Sequence, residues 1–241
     1  MSLPVLLPAE EQRAERWLPV LAAAGCRATV LQVRRVERII ARAQLERVLA
    51  GSPEGCWLVL GSGKALGDDW PDVLRVWRGP VLAVGRRTAE VARLAGARDV
   101  RLPDSGGGLA AAIESLPWQP GQHVLWLRGE EVAVDVAVLL GSRGVAVEAL
   151  TTYRMVTSPV ATTALADWAR DRAVEPGWLV ATSPATVRAM LAMLPWPWPG
   201  VSIVALGETT AEALRAMALP VRAVAAEATV EAVRDAIVRG C

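Results

Sequence analysis

The chain repeats itself at a separation of about half its length, and the repeated pieces fall where an α/β protein holds a ligand. Val84-Gly85-Arg86-Arg87-Thr88-Ala89-Glu90 returns as Leu206-Gly207-Glu208-Thr209-Thr210-Ala211-Glu212, an offset of 122. Trp57-Leu58-Val59-Leu60-Gly61-Ser62 returns as Trp178-Leu179-Val180-Ala181-Thr182-Ser183, an offset of 121. Val5-Leu6-Leu7-Pro8-Ala9-Glu10-Glu11 returns as Leu125-Trp126-Leu127-Arg128-Gly129-Glu130-Glu131, an offset of 120. Three segments in one order at nearly one offset point to a duplicated unit of roughly half the chain. Within 241 residues, two domains of ordinary size are expected, each large enough to bury its own core.

Short apolar runs alternate with amphipathic stretches. Strands are expected over 4–7, 28–33, 57–60, 81–84, 100–102, 124–127, 145–150, 178–181, 202–206 and 221–225, with helices over 10–24, 37–50, 70–77, 87–95, 108–115, 132–143, 161–173, 185–193, 209–218 and 229–238. Continuous rather than alternating apolar strands are buried on both faces, which implies parallel sheets covered by helices. The repeat order is A, B, A, B, where A spans about 3–33 and 123–150 and B about 55–115 and 176–238. Either each domain is one sequential A plus B, or the first A joins the last B and encloses the middle pair. The segments after each A, 30–36 and 147–156, are both β-prone and then polar, as two strands running side by side between domains would be.

In an open parallel sheet the ligand sits beyond the carboxyl ends of the strands, where helix N-termini present unpaired amides. Four loops fit: Gly61-Ser62-Gly63-Lys64, Gly85-Arg86-Arg87-Thr88, Thr182-Ser183-Pro184-Ala185 and Gly207-Glu208-Thr209-Thr210. Their amides, hydroxyls and helix dipoles favour an anion. Each loop alone reads first as an ordinary helix cap, with Ser183, Thr209 or Thr88 as capping residue; recurrence in both halves moves the balance toward a shared ligand.

Other function classes lack their groups. A net charge of +1, from 26 basic and 25 acidic residues, is not that of a nucleic-acid protein. Lys64 is the only lysine, so nearly all cations are arginines, suited to carboxylate and phosphate. His123 is the sole histidine, and Cys26, Cys56 and Cys241 stand in no ligand spacing, so no metal is expected and the thiols read as reduced and cytoplasmic. Gly61-Ser62-Gly63-Lys64-Ala65 lacks the spacing and magnesium-binding hydroxyl of a P-loop, and Gly61, Gly63 and Gly67 miss the dinucleotide spacing. No signal peptide is expected, because Glu10, Glu11, Arg13, Glu15 and Arg16 arrive at once. The longest uncharged run, 189–207, is broken by Pro195, Pro197 and Pro199, so no membrane span is expected.

The ordered set Leu127-Arg128-Gly129-Glu130, Leu150-Thr151-Thr152-Tyr153-Arg154, Thr182-Ser183-Pro184, Leu206-Gly207-Glu208-Thr209-Thr210-Ala211-Glu212-Ala213-Leu214 and Ala226-Glu227-Ala228-Thr229 resembles the uroporphyrinogen-III synthase family. The resemblance implies two flavodoxin-like parallel-sheet domains, one discontinuous (1–32 with 157–241) and one continuous (36–153), joined by a two-stranded β connection. It implies cyclisation of hydroxymethylbilane to uroporphyrinogen III with inversion of the last ring, in haem biosynthesis. No cofactor is expected, and the only partner is this substrate of eight carboxylates, taken up by a monomer in the cytoplasm.

In that reading Tyr153, the only tyrosine, assists loss of the substrate hydroxyl, because a protonated phenol can donate to departing hydroxide; the other reading of the residue is a tyrosine that packs the hinge with its hydroxyl in water. Substrate contacts are expected from Ser62, Gly85, Thr88, Arg128, Thr182, Ser183, Gly207, Thr209 and Thr210, with Arg128 as the cationic helper. Three positions depart from the family. Leu7-Pro8-Ala9 replaces a Thr-Arg ending of the first strand, Gly61-Ser62 replaces Thr-Ser, and Ala228 replaces a proline. Two other readings stay open on sequence: a non-catalytic two-domain receptor for a small anion, and an inactive paralogue serving as a protein partner.

Overall fold

The computed structural model describes residues 2–9, 11–67, 70–103 and 108–240. Glu10, which heads the expected helix 10–24, and the third thiol, Cys241, lie outside the described residues.

The strands, in chain order, are β1 (Leu3–Pro8), β2 (Cys26–Leu31), β3 (Arg34–Arg38), β4 (Trp57–Leu60), β5 (Val81–Ala83), β6 (Val100–Arg101), β7 (His123–Gly129), β8 (Ala146–Thr157), β9 (Gly177–Ala181), β10 (Val201–Ala205) and β11 (Val221–Val224). Between them run α1 (Glu11–Ala23), α2 (Arg42–Gly51), α3 (Arg86–Leu94), α4 (Gly108–Glu114), α5 (Val136–Gly141), α6 (Pro159–Asp171), α7 (Pro184–Met193), α8 (Glu208–Ala216) and α9 (Val230–Arg239). The chain divides into two compact units, Met1–Arg35 with Val156–Cys241, and Val36–Met155.

The first unit holds a parallel sheet in the order β11-β10-β9-β1-β2. Read by appearance within the unit this is 2-1-3-4-5, the flavodoxin-like order, and its direction reverses between β1 and β9. Side chains alternate between two cores. Leu6 and Leu179 pack on one face with α6 and α7, while Val5, Leu7, Trp178 and Val180 pack on the other with α1 and α9. Every residue of β9 is buried, which is why Gly177–Ala181 reads as an unbroken apolar run.

The second unit has the order β3-β8-β7-β4-β5-β6, with β8 to β6 all parallel. Starting the count at β7 recovers the same 2-1-3-4-5 order, so this unit is a circular permutation of the first, with its reversal between β7 and β4. Leu58, Leu60, Leu125 and Leu127 face one core, and Val59, Val124 and Trp126 face the other. β3 lies at the edge beside β8, with Ile39 N–H donating to Thr152 O at 3.1 Å and the Arg154 guanidinium 2.8 Å from Glu37.

Three expected helices differ. The helix expected from 37 starts only at Arg42, because Glu37 and Arg38 belong to β3. The expected helix over 70–77 is a succession of turns. Asp72 takes a left-handed φ of 59°, and the Leu74 amide bonds to Ala95 O at 2.7 Å instead of to the preceding turn. Trp70, Val73, Leu74 and Trp77 are nonetheless all buried. The helix expected from 132 begins at Val136, where Asp135 caps it by accepting from Ala137 N at 2.9 Å and Val138 N at 3.4 Å. No described helix is long and apolar enough to cross a membrane.

Candidate functional site

In a doubly wound sheet the crevice opens where the strand order reverses, because the loops after the two central strands turn to opposite faces. In the second unit that point lies between the carboxyl ends of β4 and β7. A cavity of about 350 Å³ sits there, lined by Gly61 and Ser62 after β4, Trp126 to Gly129 of β7, Leu109 of α4, Val132 to Val134 and Tyr153. Its walls are apolar apart from a few polar groups, the composition of a site that orients an organic ligand.

Arg128 supplies a cation. Its guanidinium stacks on the Trp126 ring, 5.2 Å from the centroid, since residues two apart on a strand share a face. Its Nε is buried without a hydrogen-bond partner among the described residues. A buried guanidinium N–H left unbonded costs free energy that an incoming carboxylate would recover. Tyr153 packs its ring on Gly129: a Cβ built on that glycine would stand 2.8 Å from Tyr153 Cζ and 3.0 Å from its hydroxyl oxygen. Only glycine leaves room for the ring there.

Ser62 lines the same cavity and caps a 3₁₀ turn over Gly63–Ala65, its Oγ accepting from Lys64 N at 3.3 Å. The turn is tied down from two sides. Arg38 Nη1 donates to Lys64 O at 2.7 Å, with its guanidinium 4.5 Å over the Trp70 ring, and Thr152 Oγ1 donates to Ala65 O at 2.9 Å. Sequence reasoning missed Trp126, Arg38 and Thr152. Strand alternation already places Trp126 beside Arg128; nothing local in the sequence joins Thr152 to Ala65.

Ser62, Arg128 and Tyr153 thus converge, whereas Gly85 and Thr88 lie outside this cavity's lining. Gly85 is the N-cap of α3 and offers no side chain, and Thr88 is buried inside that helix, so the cap expected at Thr88 is at Gly85. In the first unit, Gly207 is likewise the N-cap of α8, with Thr209 exposed and Thr210 half-buried on the helix, so Thr209 is not the cap. Both helix ends keep first-turn amides without a capping side chain, which leaves them open to an anion. Ser183 does cap, accepting from Thr186 N at 3.2 Å, and Thr182 Oγ1 donates to Pro8 O at 3.3 Å.

The uroporphyrinogen-III synthase HemD family model matches residues 15–234. Among curated proteins none matches this sequence. Of solved structures, uroporphyrinogen-III synthetase from Helicobacter pylori aligns over 99% of this chain and 99% of its own, at 15% identity and a TM-score of 0.64. A mutant uroporphyrinogen III synthase from Thermus thermophilus aligns over 99% and 98%, at 17% identity and a TM-score of 0.60. These likenesses bear on the fold; the sequence match over most of the chain bears on the family. This chain belongs to the uroporphyrinogen-III synthase family, lyases that cyclise hydroxymethylbilane in haem biosynthesis.

Proposed function

We propose that the cavity between β4 and β7 is where this chain carries out its family's reaction, closing hydroxymethylbilane to uroporphyrinogen III with the last ring inverted. The observation that carries the reading is the convergence of Tyr153 and Arg128 on one cavity whose other lining residues are apolar or glycine except Ser62 and Glu131. The phenol donates a proton as the hydroxyl leaves the first-ring carbon, so water departs and a cation remains on that carbon. The substituted carbon of the last ring then bonds to it, and the bond from that carbon to its original methylene breaks. The freed methylene cation closes on the ring's other, hydrogen-bearing α-carbon, and the proton lost from that carbon returns to the phenolate, which inverts the ring and restores the phenol. Arg128, stacked on Trp126 and short of one hydrogen-bond partner, receives a substrate carboxylate.

Much of the remaining work is orientation. The substrate closes slowly by itself to the symmetric isomer, so the enzyme has to hold the flexible chain curled with its last ring turned. Each tenfold preference for the inverted product requires about 1.4 kcal/mol of differential transition-state stabilisation. Ser62 contributes at the cavity, and the helix ends at Gly85 with Thr88, at Gly207 with Thr209 and Thr210, and at Thr182 with Ser183 hold further carboxylates through amides and hydroxyls. The reading takes 1–32 with 157–241 and 36–153 as the domains of a cytoplasmic monomer. The buried thiols of Cys26 and Cys56 fit a reducing compartment.

Purified protein given hydroxymethylbilane should yield predominantly the type III isomer on separation of the products, and Tyr153→Phe should slow its formation by about tenfold or more. Binding without turnover would make the chain a tetrapyrrole-binding protein instead. Parental turnover in Tyr153→Phe would leave catalysis to substrate folding and electrostatics.

A further inference from the structure

The ladder between β7 and β8 is interrupted at one place. Arg128 stands opposite Thr151 and the next pair is Gly129 with Tyr153, so Thr152 is an extra residue, a bulge in β8. Its side chain is fully buried. Its hydroxyl lies 2.9 Å from Ala65 O and 3.4 Å from Arg128 O. A hydroxyl has one proton to give, so the nearer Ala65 carbonyl takes it and the Arg128 carbonyl flanks the bond. Three pieces of the cavity wall meet at this oxygen: the turn after Ser62, the end of β7 that bears Arg128, and the strand whose next residue is Tyr153. The same bulge decides how the ladder resumes, with Tyr153 opposite Gly129 and its ring against that glycine. A valine would fill the same volume without the cost of burying a hydroxyl, so the bond is what the position uses.

We propose that Thr152 is a positioning residue for the cyclisation. Its bond to Ala65 fixes the bulge, and the bulge fixes the direction in which the Tyr153 phenol meets the cavity. Thr152 itself touches no substrate. The proposal rests on the reading of Tyr153 given above.

Because Tyr153 is the only tyrosine, ring-labelled tyrosine gives a single set of NMR signals that reports on this ring and needs no substrate. In Thr152→Val those signals should shift or split, and in Thr152→Ser they should stay close to the parent's. With hydroxymethylbilane, Thr152→Val should lower kcat by about tenfold or more, as small misplacements of catalytic groups do, with KM little changed and a larger share of type I isomer. Thr152→Ser should restore most of kcat. In a Tyr153→Phe background, Thr152→Val should cost nothing further, since its effect passes through the phenol. Unmoved tyrosine signals in Thr152→Val, parental kcat in that variant, an equal loss in Thr152→Ser, or losses that multiply in the double variant would each overturn the proposal. A parent that makes no type III isomer overturns the function itself; the tyrosine signals still decide whether Thr152 sets the ring.

Discussion

The two units share one framework and treat its crevice in opposite ways. In the first, the reversal point between β1 and β9 is bridged from within: Thr182 donates across it to Pro8 O, and Ser183 caps α7. In the second, the positions that repeat Thr182 and Ala9 are Gly61 and Gly129, which have no side chain to bridge anything. There the crevice is a cavity, with Tyr153 laid over Gly129. A duplicated scaffold supplies two equivalent crevices; the first unit spans its own with a side-chain hydrogen bond, and the second carries glycines at the repeated positions. Ser62 and Ser183, the repeat's matching serines, still perform the same local task of capping a turn or helix.

Residues moved between the halves should exchange these properties. Gly129→Ala installs the residue found at Ala9, and its methyl would stand 2.8 Å from Tyr153 Cζ. The ring has to swing away, so type III formation should fall by about tenfold or more while the thermal melt barely moves; parental turnover would show that the glycine only packs. Gly61→Thr installs the first unit's Thr182. Its Cβ would lie 3.3 Å from Leu109 Cδ2, tighter than ordinary contact, and the added hydroxyl and methyl narrow the cavity. KM should rise several-fold with kcat less affected, and a KM equal to the parent's would remove this wall from the site.

Ser183→Ala tests the first unit. Loss of the cap should lower stability by about 1 kcal/mol in denaturant titration. If Ser183 also meets the substrate, KM rises as well, and a stability loss with unchanged KM would confine it to capping. The smallest effect concerns Cys56, under β4 in the second unit. Burial pushes its thiol up from the usual 9.0, the Leu125 backbone hydrogen bond opposes this, and the Glu148 charge adds to it. The folded protein therefore keeps the proton that the unfolded chain gives up. The stability so conferred is complete below pH 9.0 and is lost as pH rises through the folded value. Cys56→Ala should flatten that alkaline decline, and an unchanged slope would assign it to other groups.

Much of this fold is legible in the sequence because β4 and β9 announce themselves as apolar runs and because the repeat marks the loops after them. The apolar spacing of Trp70, Val73, Leu74 and Trp77 predicts their burial correctly and their backbone wrongly, since a left-handed residue at Asp72 keeps that spacing while breaking the helix. Side chains report which residues face a core, and only backbone pairing reports how the chain gets there. The site divides in the same way. Arg128 and Tyr153 stand out as the cation that ends the strand in its copy of the repeat and as a lone tyrosine, whereas the bulge at Thr152 is a property of two strands together and has no signature in either.

The permuted order of the second unit also sets a timetable for the growing polypeptide. Val5 pairs with Trp178, so β1 emerges from the ribosome long before the neighbour that will cover its other edge exists. Val36–Met155, by contrast, is contiguous and has its whole sheet as soon as β8 appears. The half that starts first therefore finishes last. Until β9 arrives, the nascent chain carries a finished second unit behind a β1 that has β2 on one edge and no strand on the other. An unpaired apolar strand edge of that kind is what chaperones bind and what drives aggregation, so translation that stalls between Met155 and Gly177 leaves the chain at its most vulnerable.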